Sequence, residues 1–169
     1  IWIEAGTDSG TEVVIDGGGA WATASNYSLT LQGGWIGPLG PPVGSGAIVG
    51  TTVFDTAISI VNWNGAVTIN DISFNGANNT TYPTAGSLYV ETTKNIVVSN
   101  VMAINSAGAA NDGAYLDNTS STTQATVTVK NSTFNGNNSR GITITSDGAI
   151  TLTNVSAHFN GDYGVFINN

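Results

Sequence analysis

Repetition constrains this chain more than any other feature of its sequence. Residues 66–70, 95–100, 125–131 and 149–154 superpose, each placing apolar residues two apart and then closing on an asparagine: Asn70, Asn100, Asn131 and Asn154. A second asparagine follows four to six residues later, at Asn75, Asn105, Asn135 and Asn160. A third element comes next: Leu88-Tyr89-Val90, then Gly113-Ala114-Tyr115-Leu116, Gly141-Ile142-Thr143-Ile144 and Gly164-Val165-Phe166-Ile167. The second asparagine recurs every 25 to 30 residues. A unit of that size cannot bury its own apolar side chains and has to stack on copies of itself.

The alternation has period 2 over four or five residues, which marks strands with one buried face, and no 3.6-residue period competes with it. Three short strands per repeat predict an all-β, single-domain parallel β-helix (β-solenoid) of about six coils, stacked ~4.8 Å apart. Residues 1–169 read as one domain in two parts. The regular asparagine repeats occupy 66–169; irregular N-terminal coils occupy 1–65, with a Gly/Pro-rich protruding loop over 33–46 that holds Pro38, Pro41 and Pro42. Trp2, Trp21, Trp35 and Trp63 all fall in the irregular part, and the expectation is that they close that end of the core.

Leu29-Thr30-Leu31-Gln32-Gly33-Gly34-Trp35, residues 67–75 and Asn131-Ser132-Thr133-Phe134-Asn135-Gly136 together carry a family likeness. Over residues 28–169 the chain resembles the right-handed parallel β-helix repeats of large secreted bacterial surface proteins, of the autotransporter-passenger and polymorphic-surface-protein kind. The resemblance implies a right-handed coil and an extracellular or cell-surface location. It is specific for fold and uninformative for activity, because this fold also carries pectin-degrading enzymes, tailspikes, adhesins and plain rods.

Composition narrows the partners. A net charge of −8 with only three Lys and Arg residues cannot neutralise a run of phosphates, so neither nucleic acid nor an anionic membrane surface suits this chain. No apolar run is long enough for a membrane-spanning helix. Cysteine is absent, which removes thiolate chemistry and disulfides. The opening Ile1-Trp2-Ile3-Glu4 has no basic n-region, so the chain is read as starting after processing or inside a longer polypeptide.

Catalytic constellations are missing from the pattern. Glycoside hydrolysis needs two carboxyl groups on one open face, whereas Asp112, Asp117, Asp147 and Asp162 fall on corners of separate repeats. Arg140 is the lone arginine; aligning Gly113, Gly141 and Gly164 flanks it with Asp112 and Asp162, read as a charge ladder at a turn. His158 is the lone histidine, so no two-histidine metal site forms within one chain. Asp16-Gly17-Gly18-Gly19 is a single degenerate echo of the calcium-binding nonapeptide. No metal or other cofactor is implied. Asn-x-Ser/Thr triplets at Asn26, Asn78, Asn79, Asn118, Asn131, Asn137 and Asn154 are what an Asn/Ser/Thr-rich chain yields by chance, with glycosylation depending on the host.

The two asparagine series are read as structural ladders, Asn70, Asn100, Asn131 and Asn154 in one inward column and Asn75, Asn105, Asn135 and Asn160 in another, because Asn tolerates left-handed backbone and its amide can bond the next coil. Tyr89, Tyr115, Thr143 and Phe166 form a candidate outward contact stripe, for a sugar ring or a neighbouring copy. On the first strand Thr68, Val97, Thr128 and Thr151 point out, an interrupted threonine column of the kind that can match ice. The final coil stops at Phe166-Ile167-Asn168-Asn169 without a polar cap, and an uncovered strand edge is a template for pairing. Ile1, Trp2 and Ile3 of a second copy, or the next repeat of a longer chain, would cover Phe166 and Ile167. The function expected is therefore a non-catalytic structural or adhesive solenoid, assembling head to tail or continuing as a longer rod. A polysaccharide-active or polysaccharide-binding β-helix is the alternative, and an ice-binding one stands behind it.

Overall fold

The alternation of apolar and polar residues is realised as parallel strand pairing. The computed structural model describes residues 1–36, 47–48, 50–82 and 86–169. Their regular structure is strand, apart from one 3-10 turn at Ala24–Asn26. In chain order the strands are β1 (Trp2–Glu4), β2 (Gly6–Asp8), β3 (Val13–Asp16), β4 (Leu29–Ile36), β5 (Ala47–Ile48), β6 (Thr52–Phe54) and β7 (Ile58–Trp63). They continue as β8 (Val67–Asn70), β9 (Ile72–Asn75), β10 (Leu88–Thr92), β11 (Ile96–Ser99), β12 (Met102–Ile104) and β13 (Ala114–Asp117). The last four are β14 (Val127–Thr133), β15 (Ile142–Thr145), β16 (Ile150–Ser156) and β17 (Val165–Asn168).

Each strand pairs with its counterpart one pass of the chain away. Strands β1, β4, β8, β11 and β14 pair in succession, as do β2, β6, β9 and β12. Strands β14 and β16 run through both columns and join them into one sheet of 11 strands. The remaining column, β3-β7-β10-β13-β15-β17, is a separate 6-stranded sheet. All of these pairings are parallel; the antiparallel exception is β5 on β4, with Trp35 opposite Ile48.

Two sequence expectations need correction here. The first two strands of a repeat run together in β14 and β16, where pairing resumes at Ser132 opposite Val155 directly after the left-handed residues Asn131 and Asn154. The protruding loop does not begin at Gly33 either: Gly33 to Ile36 belong to β4, and 37–46 lie outside the described residues.

The core follows from the register. Val67, Ile96 and Val127 stack in one inward row, and Ile69, Val98 and Val129 in the next, all fully buried. At the second corner Phe54, Phe74, Ala103 and Phe134 stack, with the first two rings 5.9 Å apart and the small Ala103 spacing Phe74 from Phe134. Each such large side chain taken out of water contributes about 1.5–3 kcal/mol. The tryptophans do not act together as expected. Trp35 and Trp63 are buried, and Trp63 Nε1 donates to Tyr27 O at 3.0 Å, but Trp21 is exposed. The Trp2 side chain lies outside the described set.

The glycine that leads β13 and β15 has a steric cause. A Cβ on Gly113 would meet Gly141 O at 2.5 Å, and one on Gly141 would meet Gly164 O at 2.4 Å. From β13 onward the passes approach each other there more closely than a Cβ at Gly113 or Gly141 allows, whereas Ser87 and Ala57 hold the same position on the earlier passes.

Candidate functional site

Parallel pairing places the expected stripe on the outer face of the 6-stranded sheet: Tyr89 is opposite Tyr115, Tyr115 opposite Thr143, and Thr143 opposite Phe166. Tyr89 and Tyr115 pack edge to face with centroids 5.6 Å apart, and Tyr82 leans on Tyr89 at 5.2 Å. Burial first, then the neighbouring charge and hydrogen bond of Glu91, push the Tyr89 phenol far above its ordinary value, so the hydroxyl stays protonated. It donates to Glu91 Oε2 at 3.0 Å.

Thr143 is not an exposed member of the stripe. It is 1% exposed because Arg140 lies over it: the guanidinium sits 4.2 Å from the Phe166 ring centroid and Nη1 donates to Thr143 Oγ1 at 3.4 Å. Asp112, itself buried, accepts from the Arg140 backbone N–H at 2.9 Å and from the Thr143 hydroxyl at 2.6 Å. Asp162 lies 3.5 Å from Arg140 Nε, both side chains being part-exposed, so this pair contributes about 1 kcal/mol at most. The outer surface therefore runs from Tyr89 and Tyr115 across the Arg140 guanidinium to Phe166, with Tyr163 beside it.

A second outward row lies two residues further along these strands. It carries Glu91, Asp117 and Thr145, in register. Beside Glu91 opens a groove of about 480 Å³ lined by Gly17, Gly18, Asn62, Asn64, Thr93 and Ser120 among others. Asn62 adopts left-handed backbone and donates to Asp16 Oδ1 at 2.9 Å. Sequence reasoning missed this groove, although Asn62-Trp63-Asn64-Gly65 carries the turn signal that creates its wall.

The asparagine ladders are real in part and differently registered. Asn70 is opposite Ser99, so it falls one residue short of the column it was assigned to. Asp71 takes the left-handed corner with Asn100, Asn131 and Asn154. Asn100 Nδ2 donates to Asp71 Oδ1 and Asn154 Nδ2 to Asn131 Oδ1, each at 3.0 Å, and this column faces solvent, not the core. In the second series Asn105 Nδ2 does donate to Asn75 Oδ1 at 3.1 Å, at the surface, but Asn75 is opposite Ile104, and the left-handed corner is shared by Gly76, Asn105, Gly136 and Phe159. Asn135 stands beside His158, whose N–H it accepts at 2.7 Å. Asn160 belongs one column further on, with Ser106 and Asn137. There the inward ladder is found: Asn137 Oδ1 accepts from Ser106 N, and Asn160 Oδ1 from Asn137 N.

The remaining candidates stay apart. Asp147 and His158 are exposed, and Asp117 accepts from Thr119. Among the described residues no three His, Asp or Glu side chains converge as metal ligands would. Thr68, Val97, Thr128 and Thr151 do align on the outer face of the larger sheet. Ile1 is 53% exposed, with its ammonium donating to Thr30 O, and Ile3 packs partly on the core; Phe166 is half-buried and Ile167 46% exposed. Among the described residues no helix is long and apolar enough to cross a membrane. No family model, curated protein or solved structure matches the chain.

Proposed function

We propose that this chain is a right-handed parallel β-helix of about six coils that serves as a non-catalytic extracellular structural or adhesive element, extending by stacking turn upon turn. The observation that carries this reading is a contrast in burial along one register. Ile142 and Ile144 of β15 are fully buried, while their partners Val165 and Ile167 of β17 are 38% and 46% exposed. These apolar side chains continue the inward rows of the core in register, so the same pattern accepts a further pass of strand along this edge. The right-handed coil rests on the general preference of parallel crossovers for that hand, and two features of this fold support continued stacking: the corner amides repeat and the inward rows are apolar. The covering strand comes from a further repeat or from the β1 region of a second copy. A head-to-tail contact of that kind does not close on itself, so it gives filaments.

Light scattering after size-exclusion chromatography over a hundredfold concentration range tests the assembly. Elongated oligomers that grow with concentration and are lost in Ile167→Asp are expected. A monomer at every concentration overturns self-stacking, and release of reducing or unsaturated ends from polysaccharides overturns the non-catalytic reading.

A further inference from the structure

We infer that the outer face of the 6-stranded sheet holds a neutral polysaccharide chain that lies in the groove beside Glu91 and continues over the Tyr89 and Tyr115 rings, two residues earlier on the same face. This inference concerns the lateral face and is independent of end-to-end stacking.

Three observations converge on it. The groove, about 480 Å³, falls in the size range of small-ligand sites and combines amides, hydroxyls and a carboxylate: Asn62, Asn64, Thr93, Ser120 and Glu91. Those groups offer donors and acceptors to the alternating hydroxyls of a sugar ring. Next to them Tyr89 and Tyr115 supply apolar ring surface for the C–H faces of the same sugars. Their edge-to-face packing at 5.6 Å, and the Tyr89 hydroxyl anchored on Glu91, hold the rings in place before any ligand arrives. Preorganised aromatic side chains lose little entropy on binding. Finally, the electrostatics select against charged polymers of the wrong sign. Asp16, Glu91 and Asp117 border the groove, no cation lines it, and the chain carries a net charge of −8. A uronic-acid polymer or a nucleic acid meets like charge there, whereas a neutral hexose or pentose chain does not. Strands of this face repeat at the ~4.8 Å spacing, so a chain lying across them meets Tyr89 and Glu91 on one pass and Tyr115 and Asp117 on the next, before Arg140 covers Thr143.

The test is calorimetric titration of the protein with cellohexaose, xylohexaose, mannohexaose and maltohexaose, with hexagalacturonate as the anionic comparison. At least one neutral hexaose is expected to bind with Kd below about 1 mM. Tyr115→Ala is expected to weaken it about tenfold and Asn62→Ala about fivefold, while Tyr115→Phe, which keeps the ring, stays within about twofold of the parent. Asn62 is exposed but holds left-handed backbone, so Asn62→Gly, which tolerates that conformation, is measured beside Asn62→Ala and is expected to show the same fivefold loss, reading the site even if Tyr115→Ala perturbs folding. Ile167→Asp, which removes stacking, is expected to leave binding unchanged, separating this inference from the assembly. Absence of binding by all four neutral sugars, preference for hexagalacturonate, or full affinity in Asn62→Ala and in folded Tyr115→Ala overturns it.

Discussion

Asn160 Oδ1 accepts from both the backbone and the side-chain amide of Asn137, at 2.9 and 3.1 Å. Asn137 in turn gives Nδ2 to Ala103 O at 3.1 Å and takes the Ser106 N–H on Oδ1 at 3.1 Å, all within a fully enclosed corner. One side chain thus ties together three successive passes of the chain. Removing it leaves a buried donor and a buried carbonyl without partners. Asn137→Ala is expected to lower the stability by about 2–4 kcal/mol in urea unfolding. The adjacent Asn138, whose amide bonds Ala107 O at the surface, is expected to lose no more than about 1 kcal/mol on the same change. Equal effects at the two positions would remove the inward ladder from the account of stability.

Glycine serves two separate purposes here, and alanine scanning distinguishes them. Gly76 has φ +73° with open space where a Cβ would go, so Gly76→Ala meets only backbone strain, about 1 kcal/mol. Gly141 has an ordinary φ but a carbonyl 2.4 Å from the missing Cβ, and Gly141→Ala is expected to lose about 3 kcal/mol or more because two passes must separate. Chemical denaturation of the two variants reads the order directly.

Phe159 is the misfit of its corner. It adopts φ 57° in the column otherwise held by Gly76, Asn105 and Gly136, and its side chain is 94% exposed. A bulky residue in left-handed backbone is strained, and no burial offsets the strain. Phe159→Asn is expected to raise stability by about 1 kcal/mol, seen as an upward shift in melting temperature. A lower melting temperature would assign the ring a contact that holds the fold.

Acid should destabilise the N-terminal region first. Desolvation raises the Glu12 carboxyl, but the Thr81 hydroxyl and the Thr80 and Thr81 backbone amides outweigh it and hold the group below its ordinary value. Asp16 is held low by the Asn62 amide and then by the Gly18 N–H. A depressed folded-state pKa contributes stability that is complete above the unfolded value and is lost as pH falls through the folded one. The melting temperature is therefore expected to stay level down to about pH 5 and to fall from there towards pH 3. In Glu12→Gln the fall is shallower; an unchanged acid slope in that variant would remove Glu12 from the explanation.

Fold class was legible because it rests on local rules. Period-2 alternation in residues 67–70, 96–99 and 127–130 names the inward side of each strand without reference to any other part of the chain, and the spacing of Gly113, Gly141 and Gly164 set the third-strand register correctly. For the same reason the row Tyr89, Tyr115, Thr143 and Phe166 could be aligned from sequence. Burial within that row could not. Thr143 is covered because Arg140, three residues earlier, folds across it to reach the Phe166 ring, and such a contact has no periodicity to read.

The corners show the division most sharply. Sequence by itself determined that asparagines recur at the turns, since Asn is the non-glycine residue that enters left-handed backbone at least strain. Which asparagine occupies the left-handed position was decided by the strand register. Asp71 took it in place of Asn70, Gly136 in place of Asn135, and the inward hydrogen bonds went to Asn137 and Asn160. A one-residue slip exchanges inside for outside, and only the hydrogen-bonded pairing of one pass with the next, through Ser99 opposite Asn70 and Met102 opposite Ser73, removes that ambiguity.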